Sequence, residues 1–261
     1  MFAVIAGGKH VPAGDVANKR RDLLEKLVAL EELNDYWVRA FLVTSTKEDP
    51  AAVVALIKAR LMEATCRGDW SYEPLTKEHN GKGLGLMDVE AGPRLLRELL
   101  DWALNESAES PSVWRIGEAV SGLCGSYDVP MLNLLLAWMS SGSQAHATLV
   151  ARVLRESHPA LIYEHPKFVK DILNEAELIG KSALDHIRSS ISTAAHSGVR
   201  SGTPGEPFPE DVRLEQHCMQ MLASLSRVEP AFDLYDGLLK DARYAIARQR
   251  RVKEAMEDED G

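Results

Sequence analysis

LLRELLDWAL, residues 95–104, aligns with MLNLLLAWMS, residues 131–140, at a shift of 36 residues. Leu96 falls on Leu132, Leu99 on Leu135, Leu100 on Leu136 and Trp102 on Trp138. Within each stretch the apolar residues recur three and four positions apart, which is the spacing of one face of an α-helix and not the alternation of a strand. A further step of about the same size brings Ile172 and Leu173 to the positions of Leu99 and Leu100. Each period then has room for two short helices, as in helical-repeat architectures.

The same spacing extends outward in both directions. Towards the N-terminus it groups Leu23, Leu24, Leu27 and Leu30, then Leu33, Trp37, Val38 and Phe41, then Val53, Val54, Ile57 and Leu61. Asp49 is placed to cap the last of these helices, Pro50 suits its first turn, and Gly68 suits its end. Towards the C-terminus it groups Val113, Ile116, Val120 and Leu123, then Leu149, Val150, Val153 and Leu154, and later Ala183, Leu184, Ile187 and Ile191. Leu214, Cys218, Met221 and Leu222 follow, and a last helix carries Phe232, Tyr235, Leu239 and Ile246. The spacing predicts about ten to twelve helices, and a helix content above about two-thirds against roughly one-third for an average domain. No segment alternates with period two and no hairpin signal is present, so the fold class is all-α. Residues 67–88 are the long irregular stretch.

In its period and its paired helices the chain resembles the HEAT and armadillo class over residues 20–240. That resemblance implies antiparallel helix pairs stacked as an α-solenoid; an irregular helical bundle is the alternative arrangement. It carries no family-specific signature, so it assigns no residue a role. The expectation is a single all-helical domain over 1–261, with a possible sub-boundary in the loop 67–88 and a disordered acidic tail at 254–261.

With 45% hydrophobic and 26% charged residues, the chain has the composition of an ordinary globular protein. A net charge of −9 gives no global attraction for phosphate backbones, so nucleic acid is an unlikely main partner. Cys66, Cys124 and Cys218 are odd in number, far apart and in no CxxC pair, which argues against a disulfide framework or a zinc site and for reduced thiols. The N-terminal apolar run is too short for a signal peptide, and no run reaches the length of a membrane span. A cytoplasmic protein without membrane association is expected.

Chemistry-bearing motifs are sparse. HNGKGLGL, residues 79–86, has glycines and Lys82 but lacks the preceding strand and the spacing of a phosphate loop. Eight histidines are scattered without a metal-ligand pattern, and no GxSxG elbow or paired-carboxylate site is present. We therefore expect no catalytic residue, no metal and no cofactor. The five tryptophans fall mostly in apolar helix stripes and read as core. Trp70 is the exception: it lies in the irregular stretch with Tyr72, an aromatic pair placed to anchor a partner.

Two further features stand out. Lys240, Arg243, Arg248, Arg250, Arg251 and Lys253 make a basic stripe on the last helix. It reads as a solvated face first and as a docking stripe second. SGTPGEPFPED, residues 201–211, packs three prolines and two glycines between two helices. Pro207 and Pro209 hold Phe208 extended, ready to staple onto the next helix, and keep Glu206 and Phe208 presented for a partner. Connectors of this kind resemble those in helical regions of large bacterial signalling or defence proteins. The leading functional expectation is a non-enzymatic scaffold or adaptor that binds another protein, as a regulatory component of such a system. An enzyme whose site is assembled from distant residues, and a nucleic-acid-binding repeat protein, are the alternatives.

Overall fold

The computed structural model describes residues 13–33, 35–68, 71–75, 84–106, 110–124, 127–140 and 142–259. Of these, 77% are helical and none is in a strand, as the periodicity predicts. The chain divides into two compact units, residues 1–157 and 158–261. The division falls at Ser157–His158 and not in the loop 67–88, because the described parts of that loop carry buried residues of the first unit: Tyr72, Leu75, Leu84 and Leu86.

The first unit holds α1 (Ala13–Leu27), α2 (Tyr36–Glu48), α3 (Pro50–Arg67), a 3-10 turn (Leu86–Asp88), α4 (Gly92–Asn105), α5 (Pro111–Trp114), α6 (Ile116–Leu123), α7 (Val129–Ser140) and α8 (Gln144–Arg155). Asp35 caps α2 by accepting from the backbone N–H groups of Trp37 and Val38. Asp49 closes α2 and opens α3: its N–H donates to the Ser45 carbonyl, and its carboxylate accepts from the Ala52 N–H. The same carboxylate pairs with Arg21 on α1 at 3.2 Å. Gly68 ends α3 at φ +65°, a left-handed conformation that favours glycine.

The core of this unit contains an unusual member. Arg60, on α3, is 0% exposed and forms no ion pair with a carboxylate among the described residues. Its guanidinium donates to backbone carbonyls on two loops: Leu27, Val28, Leu30 and Glu31 after α1, and Glu73 and Pro74 before the 3-10 turn. The Glu73 N–H closes the gap between the loops by donating to the Glu31 carbonyl at 2.9 Å. Burial lowers the pKa of Arg60, but the planar fork and its carbonyl shell supply the hydrogen bonds that an interior charge requires.

The two aligned leucine stretches become α4 and α7. Leu96 and Leu132 are both buried, and so are Leu99 and Leu135. The match then breaks. Leu100 is buried while Leu136 is half-buried, and Trp138 is 7% exposed while Trp102 is more open. The Trp138 indole N–H donates to Asp101 on α4 at 2.9 Å, so the aligned helices touch near their C-terminal ends. Two other tryptophans depart from the core expectation: Trp37 is 49% and Trp114 65% exposed. Trp37 sits in the first turn of α2, edge to face with Tyr36, and Trp114 is covered on one side by the Arg152 guanidinium.

The second unit holds α9 (Ala160–Glu164), α10 (Pro166–Ile179), α11 (Lys181–Ala195), α12 (Pro209–Ser224) and α13 (Pro230–Glu259). Gly180 alone separates α10 from α11, and its φ of +145° permits the sharp reversal. Val169, Ile172, Leu173, Ile187, Ile191, Leu234, Tyr235 and Leu238 fill the core between α10, α11 and α13. Among the described side chains the last core residue of α13 is Ile246, yet the helix runs on to Glu259. Residues 254–259 are therefore helical and not the disordered tail that their composition predicts.

Candidate functional site

The connector 196–208 is more than a link. Its first stem, Ser197 to Arg200, and the first turns of α12 form the walls of a cleft of about 350 Å³, closed below by Pro159, Ala160 and Tyr163 of α9. Both stems are fixed by one ion pair between a half-buried arginine and a buried carboxylate. Asp211, 2% exposed in the first turn of α12, accepts from Arg200 Nε at 2.9 Å, and the same arginine donates to the His196 carbonyl at 3.0 Å. Asp211 is buried because it joins the end of α11 to the start of α12, and a buried carboxylate needs such a partner.

Two charged groups on α12 face the cleft one helical turn apart. Glu210 is held ionised by its own backbone N–H and by the Ser201 hydroxyl, which donates to Oε1 at 3.1 Å. Its other oxygen, Oε2, is buried without a hydrogen-bond partner among the described residues. Arg213 lies with its guanidinium 4.3 Å from the Tyr163 ring centre, a cation–π contact. It is exposed and forms no ion pair among the described residues, although Glu210 is three residues away. Burial keeps the Tyr163 phenol protonated beyond its ordinary range, against the pull of Arg213. The cleft thus offers a fixed, unpaired guanidinium on an aromatic plate, an ionised carboxylate, and an apolar floor.

His158 and Ser197 also line it, but each is engaged structurally. His158 Nδ1 accepts from the Ala160 N–H at 3.2 Å, and the Ser197 hydroxyl donates to the Ala194 carbonyl at 2.7 Å. They do not form a base–nucleophile pair. Behind the cleft, His217 is stacked between Tyr163 and Tyr235, at ring separations of 4.9 and 5.8 Å, and burial lowers its pKa. The neighbouring Cys218 is fully buried, which pushes its thiol up to about 12. The thiol is therefore not poised for nucleophilic chemistry at neutral pH. No group of three or more metal-ligating side chains occurs among the described residues.

The residues singled out from sequence are not gathered into this cleft. Trp70 lies outside the described residues. Tyr72 is core and not a surface anchor: it is 1% exposed, its hydroxyl donates to the Val28 carbonyl at 2.5 Å, and the Arg60 and Arg67 guanidinia cover its ring. Glu206 is exposed on the far bend of the connector. Phe208 is extended, at φ −66° and ψ 136°, as the flanking prolines predict, and its ring closes on the connector at Gly202.

The basic stripe divides in two. Lys240 pairs with Asp236 at 2.6 Å and Arg243 with Glu215 at 2.9 Å. Arg248, Arg250 and Arg251 are exposed and make no ion pair among the described residues, while Lys253 lies along the connector at Gly205. Arg200, Arg213, Tyr163 and Glu210 were not distinguishable in the sequence. The signal available was the pair of His-Pro steps, 158–159 and 165–166, that isolates Tyr163 on a short helix beside the connector.

No family profile, curated protein or solved structure matches the chain.

Proposed function

We propose that the chain is a non-enzymatic helical scaffold that holds a segment of another protein in the cleft of its second unit. In this reading its helix pairs stack in the manner of HEAT and armadillo proteins, and it serves as a regulatory or adaptor component of a bacterial multiprotein system for signalling or defence. The observation that carries the reading is Arg213. A guanidinium fixed on an aromatic ring at the mouth of a cleft, with a carboxylate close by that it does not pair with, is prepared for a partner's acceptor group. Arginine and tyrosine are also the side chains that most often dominate protein interfaces. The apolar floor, from Pro159, Ala160 and Leu214, suits one side chain of an incoming segment.

The test is affinity purification of the full chain from its native cell, comparing wild type with R213E and with Y163A. A partner that co-purifies with wild type and is lost from both variants, while circular dichroism stays native, supports the reading. Equal recovery with all three places the interface elsewhere and removes the cleft from it. Turnover of a small molecule that survives R213E refutes the scaffold reading itself.

A further inference from the structure

Over residues 247–256 the last helix adds no side chain to the core. None there is buried, and Gln249 alone is half-covered. Arg248, Arg250, Arg251 and Lys253 put four positive charges on 247–253, and Glu254, Glu257, Asp258 and Glu259 put four negative charges on 254–259. The order is the reverse of what a single helix favours: acids belong near the N-terminal end of the dipole and bases near the C-terminal end. Pairs within one helix are likewise better with the acid first. The charge pattern is poorly satisfied by its own helix and is complementary to itself in the antiparallel sense.

We propose that this helix end is a self-association surface, and that its occupant is the same segment of a second copy running antiparallel. Positions 248, 251, 255 and 258 follow the i, i+3, i+7, i+10 spacing of a helix–helix seam and fall roughly opposite Ile246. A two-fold axis through residue 253 sets Arg248 of one copy against position 258 of the other and Arg251 beside Glu254, each pair occurring twice. Ala255 is the small residue that lets the helices approach. Val252, 37% exposed, flanks the seam and is covered by the pairing. Arg248, Arg251 and Ala255 are exposed on this face, while the connector meets α13 at Gln249, whose side chain accepts from the Gly205 N–H at 3.1 Å, and at Lys253. The paired ends cover less than the roughly 1,200 Å² of a standard interface, so the association is weak, concentration-dependent and sensitive to salt.

Sedimentation velocity on the full chain tests this. The weight-average mass should rise above 28.8 kDa between about 10 and about 500 µM in about 20 mM salt, and fall back in about 500 mM salt. R248E/R251E and E254R/D258R should each weaken self-association at least tenfold with native circular dichroism. An equimolar mixture of the two variants should associate again, because each then carries one sign. A mass that stays at 28.8 kDa throughout, self-association untouched by both reversals, or a native mixture that fails to associate overturns the proposal. So does a variant lacking residues 248–261 that still self-associates.

Discussion

Each unit stacks an arginine on a tyrosine, and the two pairs are put to opposite uses. In the first unit the Arg60 guanidinium lies 4.6 Å from the Tyr72 ring centre, and its N–H groups are consumed by the carbonyls of two loops. In the second unit Arg213 lies 4.3 Å from Tyr163, and the rest of its fork faces the cleft. The ring geometry is nearly the same; what differs is the supply of acceptors. An arginine surrounded by main-chain carbonyls becomes a rivet, while one at a cleft mouth without such a shell keeps its donors. The contact with the ring does not separate structure from function, but the count of remaining donors does.

The sharpest way to break the comparison is to remove the rivet. R60A strips hydrogen bonds from buried carbonyls on both loops and should destabilise the first unit by on the order of 4–5 kcal/mol. R60K keeps the charge but not the fork and should recover only a minor part. All five tryptophans lie in the first unit, so selectively excited tryptophan fluorescence during denaturation reads this unit. A midpoint unchanged in R60A would mean that the carbonyl shell is satisfied without the guanidinium.

A smaller effect separates the aligned helices. W138A should cost about 3–5 kcal/mol, because it empties a packed site and releases Asp101. W102A should cost about 1–2 kcal/mol, because its ring is partly open. Equal losses would restore the equivalence that the 36-residue shift implies.

The smallest effect is expected at the second arginine. R213A should change stability by no more than about 0.5 kcal/mol, the ordinary range for a surface side chain. Urea unfolding followed by circular dichroism measures it. A loss comparable to that of R60A would make Arg213 a second rivet and withdraw it from the cleft's recognition role.

Helix positions were legible because burial and period coincide. Leu96, Leu99, Leu132 and Leu135 fall where their spacing puts them, and Asp49, Pro50 and Gly68 punctuate α2 and α3 as their chemistry dictates. The side-chain partners were not legible. Nothing near Arg60 in sequence distinguishes it from a surface arginine, since its acceptors are main-chain carbonyls 13 to 33 residues away. Tyr72 looked like a loop anchor for the same reason: an irregular backbone reads as surface until a buried charge needs it. The tryptophans misled in the other direction. A helix stripe only one or two residues wide places Trp37 and Trp114 at its edge, where a large ring is shared with solvent. The cleft drew its residues from α9, the connector and α12, and no local pattern could bring Tyr163 to Arg213.

The contact between Gly205 and Lys253 has a mechanical consequence. Measured from its last core residue, the end of α13 is a cantilever of thirteen residues, Ala247 to Glu259, about 20 Å long at 1.5 Å per residue. The connector clamps it at Gln249 and Lys253, which moves the pivot outward to six residues, about 9 Å, from the end of the helix. The clamp closes only because residue 205 has no side chain: a Cβ there would stand 3.1 Å from that of Lys253. The connector that walls the cleft at its stems is, at its tip, the bracket that stiffens the helix end.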